Sequence, residues 1–138
     1  MDLIKNAIED IAKKAIEKHG YYNSYAEYYA ILKEETEELA EEIAIINKQV
    51  KYLWGAVRKN DNFDIYNNNI ENHTNKAIYE ALQVLSVIEK YKLTIKNWNC
   101  EDCENFTNDK CNADIVPEFW DKEDKKEAVL NCKEFKKR

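Results

Sequence analysis

The sequence is poor in the small and turn-forming residues on which many enzyme scaffolds depend. Its 138 residues include two glycines, one proline, two serines and two histidines. Phosphate-binding loops and dinucleotide-binding folds need several glycines, and β-rich domains need glycine and proline at their turns. The scarcity of serine and histidine also argues against a Ser-His-Asp hydrolase and against a histidine-rich metal site. The composition therefore favours a helical protein.

Charge and hydropathy narrow the class of protein further. The net charge is −6, and charged residues make up 35% of the chain and hydrophobic residues 44%. An acidic protein repels the phosphate backbone of nucleic acids, so duplex binding is not expected to be its main role. No apolar run approaches the roughly 20 residues that a membrane span needs, and the N-terminus lacks a signal-peptide core. We therefore expect a cytoplasmic protein without membrane contact.

Hydrophobic periodicity predicts an all-α domain over residues 1–95. A first helix covers 3–18, and a second begins after the Ser-x-x-Glu capping box at Ser24 and continues for about 30 residues. Residues 58–75 are polar and rich in asparagine, which predicts a loop with at most one short helix. A third helix, over about 76–92, is apolar on almost every side and belongs at the centre of a bundle.

Polar side chains interrupt the apolar stripes of two of these helices. Glu35 and Glu42 lie within the stripe of the second helix and Glu38 on its border, while Glu80 and Gln83 share a face of the third. A carboxylate directed at a core is costly unless a cation or hydrogen-bond donors compensate it. Facing pairs of oxygen ligands suit a hard divalent cation, Mg²⁺ or Mn²⁺. The alternative is a solvated acidic face and a satisfied Glu–Gln hydrogen-bond pair.

The same residues resemble a known sequence signature. Two segments carry the similarity: Glu34-Glu35-x-x-Glu38-Leu39 and Glu80-x-x-Gln83. Together they are similar to the Glu-Glu-x-x-Glu … Glu-x-x-Asp signature of the all-α nucleoside triphosphate pyrophosphohydrolases, the MazG and dimeric dUTPase superfamily. The resemblance covers about residues 20–92 and is closest to MazG-like proteins that are common in phages and prophages.

The resemblance implies a helical bundle, assembled as a dimer or tetramer, that cleaves a nucleoside triphosphate to a monophosphate and pyrophosphate. By position, Glu35, Glu38 and Glu80 would hold Mg²⁺ or Mn²⁺. Gln83 stands where the family has an aspartate and would orient a ligand or water. A second class of function stays open, which the neutral Gln83 favours: a non-catalytic, oligomeric interaction or regulatory protein of a phage or mobile element.

The four cysteines all lie in residues 96–138, which are predicted to form a small separate module. Cys100 and Cys103 form a Cys-x-x-Cys pair, and Cys111 and Cys132 follow, which is typical of a closed four-thiolate zinc site. Such a site is structural, and it stabilises a unit that is too small to bury a sufficient core. An iron–sulfur cluster, disulfides and free thiols are the alternatives at these cysteines. Small zinc modules often contact protein or nucleic acid.

Elemental analysis of the purified protein is expected to find one zinc ion per chain and no iron, because four thiolates complete a tetrahedral site. Cys100→Ser removes one ligand, so it is expected to release the zinc and lower the melting temperature. Stoichiometric iron with acid-labile sulfide would assign a cluster instead. A metal-free protein would contradict both metal assignments.

Overall fold

The computed structural model describes residues 2–104, 106–107, 110–111, 132 and 135–137. Three long helices make up most of this part: α1 (Asp2–His19), α2 (Tyr25–Arg58) and α3 (Asp64–Asn97). A 3₁₀ turn (Cys100–Asp102) and two short antiparallel strands, β1 (Phe106–Thr107) and β2 (Lys110–Cys111), follow α3. The predicted all-α class is confirmed. Among the described helices, none combines the length and apolarity needed to cross a membrane.

The connection between α1 and α2 follows its local sequence signals. Gly20 ends α1 with a φ of 73°, a left-handed conformation that glycine adopts without steric cost, and its N–H donates to the Ile16 carbonyl at 2.7 Å. Ser24 begins α2 as an N-cap whose Oγ accepts the Glu27 N–H at 3.1 Å. The Glu27 carboxylate accepts the Asn23 N–H at 2.8 Å. The Ser24 cap of the predicted capping box is therefore confirmed, while the reciprocal bond of Glu27 goes to the residue before the N-cap.

The loop predicted over 58–75 is wrong for most of its length, because α3 already begins at Asp64. Only 59–63 connect α2 to α3. The Asn62 Oδ1 accepts the Asp64 N–H at 2.9 Å, and an aspartate in the first turn is favourable next to the positive end of the helix dipole. The helix predicted over 76–92 is thus part of a 34-residue helix.

Contacts with α2 explain why the polar first half of α3 is helical. The Asn69 amide donates to the Gln49 Oε1 at 3.2 Å, and the rings of Tyr66 and Tyr52 lie 6.1 Å apart. Asparagine has a low helix propensity, but most of the stability of a helix in a protein comes from tertiary packing. Packing against α2 therefore outweighs the local preference that predicted a loop.

The best-packed core lies where the end of α3 meets the α1–α2 connection. Trp98 and Phe135 are each 1% exposed, and their rings stack with centroids 4.1 Å apart. The Trp98 indole N–H donates to the Tyr22 carbonyl at 3.1 Å, so the ring has a hydrogen-bond partner although it is buried. The buried cluster consists of Tyr22, Val87, Trp98, Cys103, Cys132 and Phe135.

Backbone hydrogen bonds attach the described part of the C-terminal segment to the helices. The Lys137 N–H donates to the Asn23 carbonyl at 2.6 Å, and the Glu104 N–H donates to the Lys136 carbonyl at 2.6 Å. Isolated antiparallel bridges join Ser24 to Lys136 and Cys103 to Lys137. The end of the chain is therefore held against the start of α2.

Two of the four cysteines belong to this core. Cys103 and Cys132 are both buried, and the Lys136 N–H donates to the Cys103 Sγ at 3.3 Å. The side chains of Cys100 and Cys111 lie outside the described residues. The four-cysteine zinc site and the division of the chain into 1–95 and 96–138 therefore stay predictions.

Phe135→Ala is expected to lower the free energy of unfolding by about 3–5 kcal/mol, because it empties a buried ring position next to Trp98. Phe63→Ala is the matched control, since Phe63 is 38% exposed, and it should cost much less. Denaturant titration of the full chain measures both losses. Equal losses for the two variants would show that Phe135 is not part of the core.

Candidate metal centre

Three of the four predicted site residues come together between α2 and α3. Glu35 and Glu38 lie one turn apart on α2, and Glu80 lies on the antiparallel α3. One carboxylate oxygen from each of the three lies within 4.8 Å of the others. Glu35 and Glu80 are half-buried and Glu38 is exposed, so the cluster is open to solvent on one side. We call these three residues the glutamate cluster.

The electrostatics of the glutamate cluster oppose ionisation. Burial raises the pKa of the Glu35 carboxyl, and the charges of Glu38 and Glu80 raise it further. Burial is also the main cause of the raised pKa of Glu80, followed by the charge of Glu38 and a hydrogen bond with its carboxyl group. Like charges at this separation disfavour the fully ionised state. A cation between them would remove that cost.

No basic side chain in the described part of the chain neutralises the glutamate cluster. Its three carboxylates take part in none of the ion pairs found there. Lys33, on the same helix, pairs with Glu37 at 3.5 Å. The donors are oxygens only and one side is accessible, which is the ligand set that Mg²⁺ or Mn²⁺ prefers.

A cleft of about 510 Å³ adjoins the glutamate cluster. Glu35 and Gln83 both line it, so Gln83 faces the same space as the cluster. The cleft is lined by residues of all three helices and of the α1–α2 connection: Ile11, Ala15, His19, Tyr22, Glu27, Ile31, Glu35, Gln83, Ser86, Val87 and Lys90. A partly open cleft next to an acidic cluster is a suitable place for a ligand.

Lys90 is a cleft residue that the sequence analysis missed. It is 8% exposed, and its Nζ lies 4.3 Å from the centre of the Tyr22 ring. Burial lowers the pKa of the Lys90 ammonium, although the charge of Glu27 partly opposes this. Burial also raises the pKa of Tyr22 to about 12, so the ring under the ammonium is neutral. The sequence did contain a signal for this position: Lys90 follows Gln83 by seven residues, a spacing that places both on the same face of a helix.

Glu42 does not belong to the glutamate cluster, although the sequence places it in the same stripe. Its Oε2 lies 2.6 Å from the Nδ1 of His73, and both side chains are about one-fifth exposed (19% and 21%). His73 was predicted to lie in a polar loop, but it lies on α3 and faces α2. The carboxylate of Glu42 thus has a partner from the chain itself.

Comparison of the chain with protein-family models, with curated proteins and with solved structures finds no match. The geometry of the site is therefore the basis for assigning a function. The observations that bear on it are the convergence of Glu35, Glu38 and Glu80, the cleft beside them, and the buried Lys90.

Glu35→Gln is expected to raise the free energy of unfolding at pH 7 in metal-free buffer, because it removes a charge whose pKa is raised in the folded protein. A raised folded-state pKa means that stability is lost as pH rises through the pKa of the unfolded chain toward that of the folded one. The extra stability of the variant should therefore vanish below about pH 4, where the Glu35 carboxyl of the wild type is protonated in both the folded and the unfolded chain.

Glu41→Gln is the matched control, because Glu41 is exposed on the same helix and lies outside the glutamate cluster. It should change stability little at either pH. Thermal unfolding at pH 7 and pH 3.5 in the presence of a chelator measures the difference. A Glu35→Gln variant that is less stable than the wild type at pH 7 would contradict the electrostatic account.

Proposed function

We propose that this chain is a cytoplasmic, Mg²⁺- or Mn²⁺-dependent nucleotide pyrophosphohydrolase that cleaves a nucleoside triphosphate to a monophosphate and pyrophosphate. The observation that carries the proposal is the convergence of Glu35, Glu38 and Glu80 from two antiparallel helices. The resemblance of this glutamate pattern to the MazG-like pyrophosphohydrolases provides the class of reaction. The adjoining cleft provides space for the substrate.

The glutamate cluster fits a hard divalent cation in ligand type, charge and accessibility. Glu35, Glu38 and Glu80 would hold the ion, and its open side leaves positions for phosphate oxygens and water. Such an ion would neutralise phosphate charge and make a bound water more acidic than free water. Gln83 lines the cleft beside Glu35 and can orient a ligand through its amide group.

The apolar side chains of the cleft also have a role in this proposal. Ile11, Ile31 and Val87 line it together with Glu35. Apolar walls exclude water from the bound substrate, which strengthens electrostatic interactions inside the cleft. In the hydrolysis, the water oxygen bonds to the α-phosphorus and the bond from that atom to the α–β bridging oxygen breaks, while the proton of the water passes to solvent. Pyrophosphate then leaves with the electron pair of that bond.

Exposed apolar side chains support self-association of the chain into a dimer or tetramer. Trp54 is 60% exposed, Tyr29 64% and Ile65 63%, and several other large apolar residues of α2 and α3 are also exposed. Apolar surface on a soluble protein can mark a site of association where it forms a contiguous patch. A second copy of this chain would cover them, as the family resemblance implies.

A non-catalytic interaction or regulatory protein is the second candidate. Two observations favour it: Gln83 contributes a neutral amide where the resembled family has a carboxylate, and the exposed apolar side chains of α2 and α3 offer a surface for a partner. The two candidates differ in metal binding. An interaction protein does not require a divalent ion at the glutamate cluster, whereas the proposed enzyme does.

The purified protein is expected to release pyrophosphate from at least one standard or modified nucleoside triphosphate in the presence of Mg²⁺ or Mn²⁺. Glu35→Gln and Glu80→Gln should each reduce the rate by at least about 100-fold, since each removes a charged ligand. Glu41→Gln, outside the glutamate cluster, should retain the wild-type rate. A coupled pyrophosphate assay measures all three variants.

Calorimetric titration with Mg²⁺ separates the two candidates. Binding that Glu35→Gln abolishes and Glu41→Gln does not is expected for the enzyme, and an ion at 100 times its Kd would stabilise the fold by about 2.7 kcal/mol. If the wild type releases no pyrophosphate from any of the nucleoside triphosphates tested, with either ion, the proposed activity is refuted. Absence of ion binding as well would favour the interaction protein.

A further inference from the structure

The cleft beside the glutamate cluster has two chemically different ends. Glu35 and Gln83 lie at one end, and Glu27 and Lys90 line the same cleft further along. Gln83 and Lys90 are seven residues apart on α3, which is two helical turns, or about 10 Å along the axis. The cleft thus extends from Glu35 and Gln83 to Glu27 and Lys90, and both apolar and polar side chains line it.

Lys90 has a largely buried side chain and forms no ion pair in the described part of the chain, while its nitrogen faces the cleft. The residue is 92% buried (8% exposed), and it takes part in none of the ion pairs found there. Its described interaction is with the face of the Tyr22 ring, 4.3 Å from Nζ. The Glu27 carboxylate lies beyond ion-pair distance, although its charge partly offsets the lowering of the Lys90 pKa by burial. The nitrogen is therefore available to a ligand in the cleft that provides acceptors.

We propose that Lys90 binds the phosphate chain of the substrate at the end of the cleft opposite the glutamate cluster. This inference rests on the proposed function, because the metal would anchor the other part of the same chain. A phosphate chain offers several anionic oxygens to the three N–H donors of an ammonium group, and such charge-assisted hydrogen bonds are strong where water is excluded. A neutral base or sugar would leave the charge of Lys90 uncompensated.

The position of Tyr22 supports this role. Its ring is 2% exposed and lies under the ammonium, so it limits where Nζ can go. The Tyr22 N–H donates to the Thr94 Oγ1 at 3.3 Å and its carbonyl accepts from Trp98, so the backbone that carries the ring is tied to α3 on both sides. Lys90 is therefore held in the cleft before any ligand binds, which lowers the entropic cost of binding.

The test is the affinity of the full chain for inorganic tripolyphosphate in the presence of Mg²⁺, measured by calorimetry. Lys90→Met keeps the length of the side chain and removes the charge, and it should weaken binding by roughly 10- to 100-fold. The same substitution should raise KM for a nucleoside triphosphate by a similar factor. Because it removes a buried charge, it should not lower the melting temperature.

Lys92→Met is the matched control, since Lys92 lies on the same helix with its side chain 62% exposed and pairs with Glu89 at 3.9 Å. It should leave the tripolyphosphate affinity unchanged. Weaker tripolyphosphate binding for Lys90→Met alone supports the role of Lys90 even if no pyrophosphate is ever released, in which case only the proposed activity fails.

Three results would overturn the role of Lys90. In the first, the wild type releases pyrophosphate, but Lys90→Met has the same KM and the same tripolyphosphate affinity as the wild type. The proposed activity would then be supported without a role for Lys90. In the second, Lys90→Met weakens nucleotide binding without changing tripolyphosphate binding, which would place Lys90 at the base or sugar. In the third, the wild type does not bind tripolyphosphate at millimolar concentration.

Discussion

The antiparallel packing of α2 on α3 is the interaction on which the rest of the structure depends. Both helices have 34 residues and a connection of only 59–63 joins them, so the pairing of their side chains has little freedom. Because the helices are antiparallel, residues nearer the start of α2 contact residues nearer the end of α3. The pairs, in that order from the connection, are Tyr52 with Tyr66, Gln49 with Asn69, Glu42 with His73, Glu38 with Glu80 and Tyr28 with Tyr91.

This register gives the carboxylates of α2 different partners. Glu42 meets an imidazole and Glu27 caps its own helix, so each has a partner within the chain. Glu35 and Glu38 meet another glutamate instead, in a region where water still has access. An arrangement that concentrates like charges reduces stability, and such a cost is commonly found where a protein binds a ligand. The contrast between these neighbours on one helix is the strongest physical reason for assigning a role to the glutamate cluster.

Sequence reasoning succeeded where a short local pattern determines the structure. The capping box of Ser24 and Glu27 depends on residues three positions apart, and the convergence of Glu35 with Glu80 follows from apolar stripes that both helices must bury. The assignment of these residues to a metal and to catalysis, in contrast, is not determined by the fold. It comes from the chemistry of the side chains and from the family resemblance.

The features that were missed depend on contacts between distant parts of the chain. The asparagine-rich start of α3 has weak helix signals, and hydrogen bonds such as that from Asn69 to Gln49 compensate for them only after the two helices have paired. The stacking of Phe135 on Trp98 joins segments 37 residues apart, with no periodic pattern between them. The position of Lys90 also depends on a contact between distant segments, since its ammonium lies over the ring of Tyr22 in the α1–α2 connection.

Tyr22 belongs to two environments at once. Its ring lies under Lys90 in the cleft, and it is also a member of the buried cluster that contains Cys103, Cys132 and Phe135. A chemical change at either thiol would consequently disturb a cluster that also forms one wall of the cleft. An agent that reacts with these sulfur atoms would thus alter the cleft from a distance, without contacting the carboxylates.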